Sequence, residues 1–338
     1  CDGSVDALLR HDADLYVGGD FHQAGPVMAA HVARWDGSSW HRLGDGLTGG
    51  GGVRALHWHD GGLIAAGDFL HAGGLWSPSI ARWDGGGWMP LGSGMDSDVH
   101  ALATYEGDLI AAGDFRVAGG VNAQHVARWD GERWHPMGAG LGESWFGEVS
   151  SLAVLDGVLV AAGGFENSGG TALWHVAYWD GAEWRQLGAG LGSSIIERVG
   201  GLVVHGGVLY ACGTFDDTGG APLNNVAWWD GAAWQPAGAG IDGAVYHLGR
   251  MGDGLVAGGL FVQVEGDRAT GVAAWDGASW HPLGSTEPGG GLDGPVLSLL
   301  RTDGGLYAGG KFLYAGAAEA HGIARWDGAG WSACGAGL

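Results

Sequence analysis

Lysine is all but missing from this chain. Of 338 residues only Lys311 is a lysine, and 15 Lys and Arg stand against 37 Asp and Glu, for a formal net charge of -22. A field of that sign repels nucleic-acid phosphates and anionic lipid headgroups, so neither is an expected partner. Cysteine is nearly as rare: Cys1, Cys212 and Cys334 are too few for a disulfide scaffold or a multi-cysteine zinc or iron–sulfur site. No apolar run approaches the roughly 20 residues that span a bilayer, which excludes membrane insertion by a helix. No charged-then-apolar leader precedes the first repeat, so a soluble, processed mature form is expected, its leader already removed if the protein is exported. Charged residues reach only 15% while hydrophobics make up 46%, a balance that excludes disorder. A Gly-x-Ser-x-Gly elbow and a His-paired thiol are also missing, so nothing in the sequence supports nucleophilic catalysis.

What is abundant is glycine, at 73 residues, and tryptophan, at 19. They recur together. The string Trp-Asp-Gly-x-x-Trp begins at Trp35, Trp83, Trp129, Trp179, Trp229, Trp275 and Trp326, at intervals of 46 to 51 residues. A phenylalanine closes a glycine-rich segment upstream in each unit: Phe21, Phe69, Phe115, Phe165, Phe215, Phe261 and Phe312. Self-similarity at this period signals a repeat architecture. Each unit reads as four short strands. In the third they are predicted at 99–105, 108–113, 125–129 and 134–137, with tight Glu106-Gly107 and Asp130-Gly131 turns and a long connection from Asp114 to Gln124. The expected fold is therefore all-β, a seven-bladed β-propeller with four antiparallel strands per blade, occupying 1–338 as one domain. Blade boundaries fall at about 1–47, 48–95, 96–141, 142–191, 192–241, 242–284 and 285–338. Joining the two ends would give an interval of 47 residues, in phase with the rest.

The glycine pairs Gly18-Gly19 and Gly309-Gly310, the aromatic-Asp turn and the Trp opening the fourth strand resemble the kelch repeat, with Trp-Asp-Gly where kelch usually has Tyr-Asp-Pro. WD40 repeats share the Trp-Asp dipeptide but are shorter and carry a Gly-His signature missing here. The resemblance implies the fold and a tendency toward partner binding, and it transfers no activity.

Candidate chemistry is thin. The seven turn aspartates (Asp36, Asp84, Asp130, Asp180, Asp230, Asp276, Asp327) read as backbone acceptors rather than a cation ring. His31, His125 and His175 share one repeat position, but on different blades, too far apart for ligands of one metal. His57 and His59 share a strand face, and Asp20, Asp68 and Asp114 share a loop position where hydrogen bonding is expected over calcium. No metal or cofactor is expected. The two long connections of each blade emerge on one face, and loops on a rigid scaffold carry function. Trp76, Trp145, Phe146 and Trp174 lie on them, outside the repeat consensus, and are the candidate binding residues.

The expected function is a non-enzymatic module, secreted, periplasmic or on a cell surface, that binds a protein or glycan. The alternative is a propeller enzyme or metal-dependent hydrolase with carboxylates at the channel mouth. Cys334 replaces the residue that is Leu43, Leu91, Met137, Leu187 and Leu283 elsewhere, and Cys1 would follow it by five residues across the joined ends. A Cys1–Cys334 disulfide locking the ring is therefore expected, with a lipidated Cys1 as the rival reading and Cys212 as a buried free thiol.

Overall fold

A computed structural model describes residues 3–143, 147–284 and 291–334, and in it each repeat unit forms one antiparallel sheet. Seven such sheets, spanning 4–42, 52–90, 99–136, 149–186, 199–236, 241–282 and 296–333, each place strands one to four side by side in chain order. Sheet 3 is typical, with strands Val99–Tyr105, Asp108–Gly113, Val126–Trp129 and Trp134–Pro136. Its first turn, Glu106-Gly107, has φ of 51° and 92°, the left-handed pair that matches the twist of a tight hairpin.

Two details differ from the sequence reading. The third strand starts at Val126 because His125 has a φ of 70°, which no regular strand accommodates. The same position is held by His31, Ser79, His175, Asn225, Gly271 and Gly322, all at positive φ. In all seven sheets this residue's amide donates to the carbonyl of the repeat's phenylalanine at 2.7–3.0 Å. The recurrent Phe is thus an anchor for a chain reversal. The long second-to-third connection is also ordered: in sheet 3 it forms a small hairpin, Val117–Ala118 against Val121–Asn122, laid on the fourth strand.

The first strands of consecutive sheets touch one another in chain order, and Ser4–His11 of sheet 1 touches Val296–Thr302 of sheet 7. The ring is closed, with first strands around the axis and fourth strands outside. This is a β-propeller.

Both tryptophans of the motif join neighbouring sheets in most of the ring, Trp40 at the seam being the second tryptophan whose indole N–H finds no partner among the described residues. The second is buried, and its indole N–H crosses to the preceding sheet: Trp88 to Leu43 O at 2.9 Å, Trp134 to Leu91 O at 3.0 Å, and likewise Trp184, Trp234, Trp280 and Trp331. The first packs on a glycine there. A Cβ on Gly92 would lie 3.2 Å from the Trp129 ring, and its φ of 61° also favours glycine.

Where sheet 7 meets sheet 1 the expected disulfide is not supported. Cys334 is a free, buried thiol, and Cys1 lies outside the described residues. The seam is instead made by packing. Val5, Val17, Phe21 and Trp40 of sheet 1 share a core cluster with Ile323 and Cys334 of sheet 7, joined by Leu300 and Tyr307, and Arg10 pairs with Asp303 at 2.6 Å. A buried apolar interface of the kind found between the other sheets needs no covalent lock. Burial pushes the Cys334 thiol up to about 12, away from thiolate chemistry. Cys212 is a free thiol fully enclosed in the core.

Candidate functional site

In every first strand the pairing with the second strand skips one residue, directly after a valine that recurs in all seven sheets: Val5, Val53, Val99, Val149, Val199, Val245 and Val296. The bulge brings backbones together. A Cβ on the glycine opposite (Gly19, Gly67, Gly113, Gly163, Gly213, Gly259 or Gly310) would sit 2.0–2.2 Å from the carbonyl oxygen of the residue before the valine. Only glycine fits, which explains its recurrence. A bulge re-aims a side chain out of the ladder. The seven skipped residues, Asp6, Arg54, His100, Ser150, Gly200, Tyr246 and Leu297, all line one axial cavity of about 910 Å³.

Below them the next position is small in most sheets, as at Ala7, Ala55, Ala101, Ser151 and Gly201, and keeps the cavity wide. His247 and Ser298 hold that position in sheets 6 and 7. A recurrent leucine follows: Leu8, Leu56, Leu102, Leu152, Leu202 and Leu248 line the deeper wall. The bulges sit at the beginning of each first strand, beside the end of the second, so this mouth opens on the long-loop face.

The mouth is charged although its position in the repeat is not. Arg54 lies with Nε 3.2 Å from Asp98 Oδ2 and Nη1 3.9 Å from Asp6 Oδ2, linking sheets 1, 2 and 3. Arg198 pairs with Glu148 between sheets 5 and 4, and His100 Nε2 is 3.1 Å from Asp114 Oδ2. Lys311 completes the lining from sheet 7. Half-exposed pairs of this kind contribute about 0–1 kcal/mol each, so they hold side chains in place more than they stabilise the fold. Burial raises the Asp6 carboxyl above its ordinary value despite help from Ser4 and Arg54. Burial also acts to raise Asp114, but the hydrogen bond and charge of His100 outweigh it and leave Asp114 lowered. His247 loses its hydration in the wall and is pushed down to about 4, so it is neutral near pH 7.

Asp98, His100 and Asp114 offer three donor atoms all within 4.8 Å of one another. The Arg54 guanidinium already occupies Asp98, and its charge opposes a cation there. Asp20 and Asp68 do not join this group. His31 and His125 turn their Nδ1 atoms to the carbonyls of Gly19 and Gly113, and His175 to Leu191 O at 2.7 Å, a role in chain reversal. Each Trp-Asp-Gly aspartate accepts two backbone amides of its own turn, Asp130 from Glu132 and Arg133 at 2.9 Å for example. Those bonds, with the His135 contact, hold Asp130 well below the usual carboxylate range. His57 and His59 both contact Thr104 Oγ1, at 2.9 and 3.0 Å.

Of the aromatic candidates, Trp76 is 59% exposed and Trp174 37% exposed. Trp76 ends the small hairpin of sheet 2 and meets His71 edge-on at 5.3 Å. The backbone N–H of Trp174 donates to Gln186 Oε1 at 2.6 Å in sheet 4. The hairpin of sheet 3 separates the two, so they lie along the rim of the long-loop face rather than in the mouth. Trp145 and Phe146 lie outside the described residues. The rim is broader than the sequence suggested. Among the described residues, every exposed large hydrophobic except Met89, Val154 and Val158 sits on a long connection or at a second strand's end, including Met28, Leu75, Ile195, Ile196, Leu260, Val262, Leu313 and Tyr314.

No protein-family model matches the sequence, and no curated protein matches it. Solved structures are similar in fold. The computationally designed Ika8 protein shares 17% identity at a TM-score of 0.53, over 97% of this chain and 84% of that one. The extracellular domain of the one-component system BT4673 from B. thetaiotaomicron shares 9% at 0.64, over 96% of this chain and 38% of that one. The WD40 repeats of RRP9 share 12% at 0.56, over 92% and 88%. At these identities the likeness is one of propeller architecture alone. The present chain thus spans well under half of the BT4673 chain.

Proposed function

We propose that this chain is a seven-bladed propeller of kelch type that acts as a non-enzymatic interaction module, binding a protein or glycan through its long-loop face outside the cytoplasm. One observation carries the reading: exposed apolar side chains gather on that face, around a cavity whose lining residues vary where the rest of the repeat is constant. Exposed apolar groups rimming a polar mouth mark binding surfaces rather than random surface. The fold neighbours agree with such a role, one of them being an extracellular domain.

A combined Trp76→Ala, Trp174→Ala, Leu313→Ala variant tests it on a glycan array and against candidate surface proteins. Loss of binding with an unchanged thermal midpoint supports the face, and undiminished binding removes it. The second reading, a metal-dependent hydrolase, is favoured only by the Asp98–His100–Asp114 donor set. Equilibrium dialysis against zinc, manganese and calcium, with Asp98→Asn and Asp114→Asn as controls, decides it.

A further inference from the structure

Sheets 1 and 2 meet beside their short turns through a pair of stacked rings. His11, the last residue of the first strand of sheet 1, lies flat against Trp58 of sheet 2, with ring centroids 3.4 Å apart and planes 10° from parallel. The ladder identifies the equivalents of both residues one junction further on. His59 pairs with the first residue of its second strand as His11 does, and Thr104 pairs with Leu109 as Trp58 pairs with Leu63. Where sheets 2 and 3 meet, an imidazole therefore stands in the same place, but a threonine replaces the indole. At the other five junctions that second place goes to a valine or an arginine.

The missing indole leaves room. A cavity of about 430 Å³ opens at this junction, bordered by His59, Asp60, Thr104, Asp108 and Trp129, within the range of small-molecule sites, roughly 300–1,000 Å³. Thr104 and Asp60 are exposed and Trp129 is half-buried. No ring lies on His59 among the described residues; its Nδ1 meets the Thr104 hydroxyl at 3.0 Å, and His57 Nε2 meets the same hydroxyl at 2.9 Å, so the imidazoles are held in place without being covered by a ring. Two of the three bordering carboxylates are answered within the chain, Asp108 by Arg128 at 2.9 Å and Asp130 by His135 at 2.6 Å. The Asp60 carboxylate makes no ion pair among the described residues, since Arg82 reaches only its backbone carbonyl, at 2.6 Å. Three carboxylates repel an anion, and the one left over favours a cation. The stack at the first junction shows what the imidazole accepts: a flat aromatic ring.

We propose that this groove, on the face opposite the long loops, binds a small aromatic amine, its ring laid on His59 as Trp58 lies on His11 and its ammonium group at Asp60. The site is separate from the long-loop face and does not depend on the partner proposed there.

Tryptamine is the probe, with indole, indole-3-acetate and butylamine as comparators, and calorimetry and ligand-observed NMR read binding to the full chain. Tryptamine binds, indole binds about two- to fivefold more weakly for want of the charge, and indole-3-acetate and butylamine do not bind. His59→Ala weakens tryptamine roughly tenfold, and Asp60→Asn brings it to the level of indole. Thr104→Trp, which restores the pairing of the first junction, abolishes binding without lowering the thermal midpoint. Asp156→Asn removes the same charge from the corresponding turn of sheet 4 and leaves binding unchanged. Asp60 and Asp156 have φ of 45° and 49°, a region asparagine tolerates, so neither substitution disturbs its turn. If Thr104→Trp lowers the midpoint, His59→Ala and Asp60→Asn carry the test. Silence of tryptamine, butylamine binding as tightly, affinity untouched by His59→Ala and Asp60→Asn, or full binding to a folded Thr104→Trp chain overturns the proposal.

Discussion

Trp40 and Trp134 form a matched pair that isolates one hydrogen bond. Both open the fourth strand of their sheet, are 5% and 3% exposed, and meet the first tryptophan of the motif at 5.0 and 5.2 Å with interplanar angles of 50° and 51°. They differ at one atom. Trp134 Nε1 donates to Leu91 O at 3.0 Å, whereas Trp40 Nε1, at the seam, has no partner among the described residues. Replacing either by Phe removes the same indole volume, so the cavity cost is shared. At Trp134 it also strands a buried carbonyl, worth about 1–3 kcal/mol, while at Trp40 it removes an orphaned N–H and recovers a cost of similar size. Trp134→Phe is therefore expected to be the more destabilising by about 2 kcal/mol or more. With an unfolding entropy of roughly 2.1 cal/mol/K per residue, a chain of 338 residues has about 0.7 kcal/mol/K, so the two midpoints separate by about 3 °C. Differential scanning calorimetry of the two variants reads this directly. Equal midpoints, or a lower one for Trp40→Phe, would refute the claim that the indole bonds tie sheet to sheet.

Gly113→Ala places a Cβ 2.1 Å from Asp98 O and is expected to cost about 3 kcal/mol, against about 1 kcal/mol for Gly61→Ala, where positive φ is the sole obstacle; urea midpoints compare them. His247 is held near 4, below its ordinary 6.5, so the unfolded chain takes up a proton first as pH falls. The stability His247 contributes is whole above pH 6.5 and is lost on descent toward 4. Wild type should lose roughly 2 kcal/mol more than His247→Gln between about pH 7.5 and 4.5, and parallel curves would contradict it. Cys212 and Cys334 should resist maleimide in the native state and label in denaturant, as intact mass will show.

The features that sequence displays well are those set by neighbours in the chain. The Trp-Asp-Gly turns were legible because Asp130 bonds amides two and three residues away, so spacing alone specifies the contact. The Glu106-Gly107 hairpin and the strands beside it follow the same logic. His125 was misassigned to a strand because its left-handed φ is imposed by Phe115, ten residues back, and His, Ser, Asn and Gly all tolerate the site. Trp76 and Trp174 stand out in the sequence as outsiders to the consensus, yet the sequence does not tell rim from mouth, since the small hairpin that carries Trp76 and the one that ends two residues before Trp174 are defined by two pairs of residues each.

The charged mouth escaped notice for a different reason. Asp6, Arg54, His100, Ser150, Gly200, Tyr246 and Leu297 share a position and no chemical character, so among the repeats their column looks like noise. It is bracketed by constancy: valine before it, leucine two residues after the bulge, and glycine across the ladder. Those three fix the backbone of the bulge in every sheet and leave the side chain at its tip free of any packing duty. A residue held rigidly but not used by the fold is where a repeat protein can vary its surface at no structural cost. In a ring such positions converge on the axis, so variation spread over seven distant segments of sequence becomes one composite surface. The signal was therefore present in the sequence as a variable position flanked by invariant ones, and only the register of the first two strands gives that variability a direction.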